Sequence, residues 1–311
     1  MPAANRADQR ANHDSSDPGC ADPGNAGVSL AGSAGTDPSR SDSYEVLAVR
    51  YGTRATRKSE VYLHFGRYGE PDGPMQMDYF FWVARNAKRT VVIDSGFNEL
   101  SGARRGRTTL CPPPEALRRL GIAPAGLPTV VVTHGHYDHI GNLGSFPAAE
   151  LIMSAREYDF WTGPMSKRTL FAVSAEPDDI DVLRRARSEA RIRFAGQPGV
   201  RQPVAPGIDV LEVGGHTPGQ LVVFVTSAAG EVVLASDALH YYDELRLDRP
   251  FEQVCDLPAM YAGFELLRDL AADPARQLVA GHDPEVRQRF AAVAPDVQQI
   301  AAGPPPEGAA R

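Results

Sequence analysis

"VVVTHGHYDHIGN", residues 130–142, places three histidines and an aspartate within six positions, directly after an apolar run. Imidazole nitrogens and carboxylate oxygens are common protein ligands of Zn²⁺. Residues at alternate positions of an extended turn, such as His134 and His136, can face the same side. Asp138 and His139 lie further round the turn and can bind a second ion. The stretch therefore predicts a metal site at the end of a buried strand.

Three further ligand candidates each follow another strand-like run: His216 in "EVGGHTPGQ", Asp237 in "VVLASDALH" and His282 in "LVAGHDP". Taken singly, such a histidine is more often a surface residue, and such an aspartate is more often a helix cap. Strand ends on one edge of a sheet can converge, however, and the three complete a set. Five histidines and two aspartates suit two metals that share one carboxylate. Two ions about 3.5–4 Å apart can hold a hydroxide between them, which makes hydrolysis the natural reaction class.

Two β-rich series, each followed by helices, dominate the middle of the chain. Strands are predicted over 44–52, 61–66, 79–85 and 90–96, then over 207–215, 220–227, 231–237 and 277–283. Helices are predicted over 112–121, most of 154–193, 258–271 and from Pro284 onward. Alternation of this kind predicts an α+β fold, an αββα sandwich of two mixed β-sheets flanked by helices.

The ends of the chain differ in composition from its middle. Residues 1–43 are dominated by Ala, Ser, Asp, Gly and Pro and lack Phe, Tyr, Trp and Ile, which predicts a disordered tail. Residues 298–311 are predicted to be a second disordered tail, so that residues 44–297 form one folded domain.

The formal charge of −7 argues against a nucleic-acid partner. The basic residues Arg104, Arg105 and Arg107 are predicted to lie in a solvated loop. Cys20, Cys111 and Cys255 are too few and too scattered for a disulfide framework, which favours a reducing cytosol. Without an apolar run of about 18 residues or a secretory signal, no membrane partner is expected.

The combined motifs resemble the metallo-β-lactamase superfamily of metal-dependent hydrolases. The resemblance rests on the H-x-H-x-D-H run at 134–139, the G-H-T-P-G segment at 215–219, the later Asp237 and the final His282. It implies that His134, His136 and His216 bind one divalent metal. It also implies that Asp138, His139 and His282 bind a second, with Asp237 bridging and Asp94 supporting the loop. Zn²⁺ is the first choice, although Fe, Mn or Co would suit the same ligands.

Spacing within the family favours a lactone as the substrate. The 21 residues from His216 to Asp237 and the 45 from Asp237 to His282 are similar to those of N-acyl-homoserine lactonases and 4-pyridoxolactonase. A homodimer is implied on the same ground. The alternative is a glyoxalase II-like thioester hydrolase, which should carry a basic C-terminal patch, whereas residues 258–291 are charge-balanced. A non-catalytic binding protein is the third hypothesis, and retention of the whole ligand set argues against it.

The expected mechanism is attack of the metal-bridging hydroxide on the lactone carbonyl, with Asp138 or Asp237 passing a proton to the leaving oxygen. Acyl-homoserine lactonases commonly have a tyrosine three positions after the bridging aspartate, where this chain has His240. Either His240 or the adjacent Tyr241 donates a hydrogen bond to the carbonyl oxygen, or the substrate is not an acyl-homoserine lactone. The alternative for Tyr241 and Tyr242 is that they pack under the site. Candidate substrate walls are the aromatic stretches 157–171 and 74–82.

Overall fold

The computed structural model describes residues 42–303. Positions 1–41 of the predicted N-terminal tail and positions 304–311 of the predicted C-terminal tail therefore lie outside the described residues.

Fourteen strands form the framework of the described residues. They are β1 (Glu45–Arg57), β2 (Pro74–Arg85), β3 (Thr90–Ile93), β4 (Thr108–Thr109), β5 (Thr129–Val131), β6 (Glu150–Met153), β7 (Ile192–Phe194), β8 (Gln202–Ala205), β9 (Ile208–Glu212), β10 (Leu221–Ser227), β11 (Gly230–Ser236), β12 (Arg276–Ala280), β13 (Ala291–Ala294) and β14 (Val297–Ala301).

Ten α-helices accompany these strands in the part of the chain that the structure describes. They are α1 (Lys58–Val61), α2 (Glu99–Arg104), α3 (Pro113–Arg119), α4 (Tyr137–Ile140), α5 (Ala155–Thr162), α6 (Thr169–Ala172), α7 (Pro177–Ser188), α8 (Tyr242–Leu247), α9 (Leu257–Ala271) and α10 (Val286–Arg289). Within residues 42–303, no helix combines the length and apolarity needed to cross a membrane.

Two mixed sheets pack face to face, which confirms the predicted sandwich. The larger sheet has the order β13-β14-β1-β2-β3-β5-β6-β7, and β4 also pairs with β1, at Gly52 and Thr53. The smaller sheet has the order β12-β11-β10-β9-β8. The pairs β3–β5, β5–β6, β6–β7 and β11–β12 are parallel, so several strands point their carboxyl ends at one edge of the sandwich.

Both faces of the larger sheet are buried. Because side chains alternate between the two faces along a strand, neighbouring residues of one strand pack in different clusters. Val46 and Ala48 of β1 belong to the cluster between the sheets, which also includes Leu266 and Leu267 of α9. Leu47 lies on the other face, in a second cluster with residues from α3, α4, α5 and α7. This double burial explains the continuous apolar runs at 46–49 in β1 and 79–84 in β2.

Three sequence predictions about elements are wrong. The helix expected from Pro284 onward ends after one turn, at Arg289, and the chain continues into β13 and β14. Residues 61–66 form no strand, because the chain turns through a left-handed His64 (φ 53°) into a 3₁₀ helix at Phe65–Tyr68. The predicted C-terminal tail begins too early, because β14 continues to Ala301 in pairing with β1. Val297 and Ile300 are buried by that pairing, which the surrounding Gln and Ala residues conceal in the sequence.

Candidate metal centre and its cavity

The predicted ligands all lie beyond the carboxyl ends of strands. His134 and His136 follow β5, and α4 carries the Asp138–His139 pair. The other three, His216, Asp237 and His282, follow β9, β11 and β12 of the smaller sheet. Both sheets therefore contribute ligands to one edge, and all seven side chains are buried there.

Glycine allows two of these loops to come close to neighbouring elements. A Cβ atom on Gly135, between the first two histidines, would lie 2.2 Å from the ring of Trp161. Gly215 has φ 84°, and a Cβ atom there would lie 2.7 Å from the backbone of Met260 in α9. Only glycine combines this backbone conformation with such close packing.

The ligands form two groups around Asp237. His134, His136, His216 and Asp237 make one group, and Asp138, His139 and His282 make the other. The two oxygens of Asp237 divide between the groups. Its Oδ2 lies 3.4 Å from His216 Nε2, and its Oδ1 lies 3.1 Å from His282 Nε2.

The chemistry of these donors fits metal ions. His216, His282 and His139 use Nδ1 to contact the carbonyl of Gln253, the carbonyl of Asp78 and the carboxylate of Asp94, at 2.8, 2.9 and 2.8 Å. Nδ1 must carry the proton in the two contacts to carbonyl oxygens, so Nε2 has a free lone pair there.

Several inward-facing nitrogens have no hydrogen-bond partner among the described residues: His134 Nε2, His139 Nε2 and His282 Nε2. Nδ1 of His136 and Nε2 of His216 approach each other to 3.0 Å. Buried lone pairs that converge on a carboxylate without a donor are the arrangement that a cation satisfies.

Burial favours the neutral, ligating form of the first group. Burial lowers the pKa of His136 to about 4 and holds those of His134 and His216 well below the usual range. Burial would raise the pKa of Asp237, but the surrounding imidazoles, His282 first, hold it well below its usual range. Neutral imidazole and ionised carboxylate are the forms that bind a metal.

Asp94, which follows β3, orients the ligand loop. Its carboxylate accepts hydrogen bonds from the backbone N–H and the hydroxyl of Thr133, both at 2.8 Å, and contacts His139 Nδ1. Asp94 itself has φ 63°, a left-handed conformation that is unusual outside glycine. The aspartate therefore fixes residues on both sides of the first ligand pair.

Glu157 of α5 is a residue that the sequence did not single out. Its fully buried carboxylate accepts the backbone N–H of Gly135 at 2.9 Å and that of Gly219 at 2.8 Å, and it also accepts the indole N–H of Trp161. Gly135 belongs to a loop of the larger sheet and Gly219 to a loop of the smaller one. Glu157 thus joins the two ligand loops, and no local sequence pattern reveals such a contact.

His240 lies inside the site. Its Nε2 is 3.0 Å from Asp237 Oδ2 and its Nδ1 is 3.4 Å from Glu244 Oε1, while its ring stacks on Phe251 at 3.8 Å. Burial would lower the pKa of His240, but Asp237 and Glu244 raise it to about 9.

Tyr241 points away from the site. Its hydroxyl donates to the carbonyl of Gln76 at 3.2 Å, and the residue is the N-cap of α8. Its side chain packs in the outer cluster of the larger sheet. Tyr242 likewise uses its hydroxyl elsewhere, on the carbonyl of Leu278 at 3.1 Å. Of the residues considered as a carbonyl donor, His240 is the one that the structure brings to the ligands.

A cavity of about 500 Å³ opens onto the ligands. Its walls include Met77 and Tyr79 from the stretch 74–82, and Phe171 from the stretch 157–171. Trp161 lies beneath the site instead, with its ring 5.1 Å from that of His136. Leu170, also from the stretch 157–171, adds to the cavity wall. The sequence missed the other residues of the wall, which are Arg54, Glu60, Arg107, Tyr137, Val173, Ser174 and the segment 251–255.

The sequence profile of the metallo-beta-lactamase superfamily matches residues 78–282, and the chain belongs to this family. A relative from Xenopus laevis, metallo-beta-lactamase domain-containing protein 1, is 32% identical over 124 residues, which are 40% of this chain and 42% of the relative. The N-acyl homoserine lactonase AiiB of Agrobacterium fabrum is 32% identical over 121 residues, 36% of this chain and 40% of that protein. The chain therefore spans less than half the length of either relative.

Among solved structures, the dizinc quorum-quenching lactonase AidC, in complex with a product N-hexanoyl-L-homoserine, has the same fold. Its TM-score is 0.62 at 17% identity, over 83% of this chain and 94% of that one.

Proposed function

We propose that this protein is a hydrolase that opens the ring of a small-molecule lactone at a two-metal site. One observation carries the proposal: members of two groups of predicted ligands, with Asp237 between the groups, line a single cavity. The similarity to N-acyl homoserine lactonases in sequence and fold supports the choice of a lactone.

Two divalent ions, with Zn²⁺ as the first choice, would be held by His134, His136 and His216 and by Asp138, His139 and His282, with Asp237 between them. When bound, such a pair supplies a nucleophile from water at neutral pH and polarises the carbonyl. Hydrolysis joins the oxygen of water to the carbonyl carbon and breaks the ring C–O bond. The ring oxygen then needs a proton.

The chain's own carboxylates are placed to transfer that proton. Asp138 and Asp237 both line the cavity, and their carboxylate oxygens lie 3.9 and 3.1 Å from His282 Nε2. We assign the proton transfer to Asp138 or Asp237. A Ser or Cys nucleophile is not required.

His240 is proposed as the donor that stabilises negative charge on the carbonyl oxygen. Phe251 and Glu244 hold its ring in one orientation, and Nε2 reaches the oxygen of Asp237 that faces the first ligand group. One donor of this kind is typically worth about 3–4 kcal/mol of the barrier. Tyr241 has no part in this proposal, because its hydroxyl is bonded to Gln76.

The thioester alternative requires a basic surface for an anionic carrier. The arginines of residues 258–291 are all in ion pairs with carboxylates: Arg268 with Asp248 and Glu265, Arg276 with Glu231 and Asp273, Arg287 with Asp78, and Arg289 with Glu285. These pairs weigh against a carrier site in that region.

The proposal also covers the location, the assembly and the biological role of the protein. A cytosolic location is supported by Cys111 and Cys255, which are both free thiols. A homodimer and a role in quorum quenching rest on the resemblance alone. No nucleic-acid partner is proposed.

The test is hydrolysis by zinc-loaded full-length protein. The panel contains short- and long-chain acyl-homoserine lactones, simple γ- and δ-lactones, 4-pyridoxolactone and S-lactoylglutathione, with Asp237→Ala as the inactive control. We expect turnover of at least one lactone that disappears in the variant. Turnover of the thioester alone would replace the lactonase proposal by the alternative.

A further inference from the structure

Arg107 occupies a fixed place in the wall of the cavity. It directly precedes β4, whose residues Thr108 and Thr109 pair with Thr53 and Gly52 of β1. This pairing holds the loop against the larger sheet. The residue is half-buried rather than solvated, so the prediction of a solvated loop is wrong for it.

The guanidinium group of Arg107 contacts the aromatic part of the wall. Its Nε donates to the hydroxyl of Tyr137 at 3.0 Å, and its Cζ is 6.0 Å from the ring centre of Tyr79. The Tyr79 ring is in turn 5.0 Å from the ring of the ligand His282. One aromatic ring therefore separates the guanidinium from the second ligand group.

The hydrogen-bonding capacity of this guanidinium is only partly used. Its five N–H groups include one that donates to Tyr137 and one that donates to the carbonyl of Arg105. Within residues 42–303, no carboxylate lies in ion-pair distance of Arg107. The cavity's other arginine, Arg54, is by contrast paired with Glu60.

A half-buried cation with spare donors and no counter-ion is costly unless a ligand supplies the negative charge. A planar carboxylate matches the fork of a guanidinium and accepts two parallel hydrogen bonds. The hydroxyl of Tyr137, which accepts from Arg107, lies in the same wall of the cavity. The geometry therefore describes an anion subsite beside the ligand groups.

We propose that Arg107, with Tyr137, binds a carboxylate carried by the substrate, so that the substrate is a small lactone with a free acid group. This inference rests on the proposed function, whose substrate class it narrows. Arg107 acts as a specificity-determining residue.

Two features favour one carboxylate over an extended polyanion. Glu60 and Glu252 also line the cavity, and the chain carries a formal charge of −7. Leu170, Phe171 and Val173 add an apolar wall that suits an uncharged remainder of the substrate.

The test compares 5-oxotetrahydrofuran-2-carboxylate with its carboxamide, two γ-lactones that differ in one charge. Zinc-loaded wild-type protein should prefer the acid in kcat/KM by roughly 10- to 100-fold, the range for a hydrogen-bonded charge. Arg107→Met should reduce the preference to near unity, and Arg107→Lys should retain part of it. Arg104→Met removes an exposed charge at the end of α2, outside the cavity, and should leave the preference unchanged.

Binding of the ring-opened acids gives a readout that does not depend on turnover. In calorimetry, 2-hydroxyglutarate should bind more tightly than 4-hydroxybutyrate, which lacks the second carboxylate, and Arg107→Met should abolish the difference. If no lactone of this pair or of the earlier panel is hydrolysed but this difference is found, the lactonase proposal fails and the anion subsite stands. Equal treatment of acid and amide by the wild type, or a preference that survives in folded Arg107→Met, would overturn the inference.

Discussion

The ligand edge and the cavity wall differ in how completely the protein satisfies their polar groups. At the ligand edge, His216 and His282 use their outer ring nitrogens on backbone carbonyls, and Asp94 accepts three hydrogen bonds. In the wall, Arg107 has unused donors, and Leu170 is 84% exposed. At the ligand edge, the protein's own groups therefore fix the orientation of the ligands. In the wall, hydrogen-bond donors and apolar surface remain available to a substrate.

Removing Asp237, the ligand that the two groups are proposed to share, should have the largest effect on the ligand edge. Asp237→Ala deprives both ligand groups of a carboxylate, so we expect loss of bound metal and a fall in lactone turnover on the order of 10³-fold or more. Metal analysis and steady-state kinetics measure both. Asp243→Ala, which removes an exposed carboxylate of α8, is the matched control. A variant that keeps two ions and the wild-type rate would contradict the assignment of Asp237.

The support behind the ligands should have a smaller effect. Asp94→Ala frees the ring of His139 and leaves Thr133 without its acceptor, so zinc affinity should fall about 10- to 100-fold. Competition with a chromophoric chelator measures the change. Asp94→Asn keeps an acceptor for the Thr133 N–H and should lose less. An unchanged affinity in Asp94→Ala would mean that the backbone alone orients the loop.

Glu157 tests whether the two sheets are joined at the ligand edge. Glu157→Ala leaves two buried backbone N–H groups without an acceptor, which should lower the free energy of unfolding by about 1–3 kcal/mol. Urea denaturation of the zinc-loaded protein gives this value. Glu150→Ala, at an exposed carboxylate of β6, should change it by less than about 0.5 kcal/mol. Equal changes in the free energy of unfolding for the two substitutions would contradict the role of Glu157 in joining the two sheets.

Asp179 of α7 is a buried carboxylate away from the ligand edge. Removing its charge should stabilise the protein, whereas removing the carboxylate of Glu157 should destabilise it. Its Oδ2 has no hydrogen-bond partner among the described residues, and burial, followed by Glu176 and Asp178, raises its pKa to about 7. Folding therefore takes up a proton between about pH 4 and pH 7, and the wild type loses stability as pH rises through this window.

Asp179→Asn avoids that loss. The variant should match the wild type near pH 4 and exceed its free energy of unfolding by on the order of 1–2 kcal/mol at pH 8. Denaturation at both pH values measures the difference, and Asp181→Asn, an exposed neighbour on the same helix, should show none. A difference independent of pH would argue against a protonated Asp179.

The sequence predicted the sandwich and the ligand candidates because both depend on local signals. Ligands follow apolar runs, and parallel strands then bring their ends to one edge. The sequence could not predict the strand at Val297–Ala301, because only its pairing with β1 buries this segment. Glu157 and Arg107 were missed for the same physical reason: their environments are made by residues distant in the chain.

The most direct test of the two-metal site is a zinc titration of three proteins: the wild type, His216→Ala from the first ligand group and His282→Ala from the second. The account predicts two equivalents of tightly bound zinc for the wild type and one for each variant, with lactone turnover lost in both. A wild type that binds a single equivalent, or turnover that persists after all metal has been removed, would contradict it.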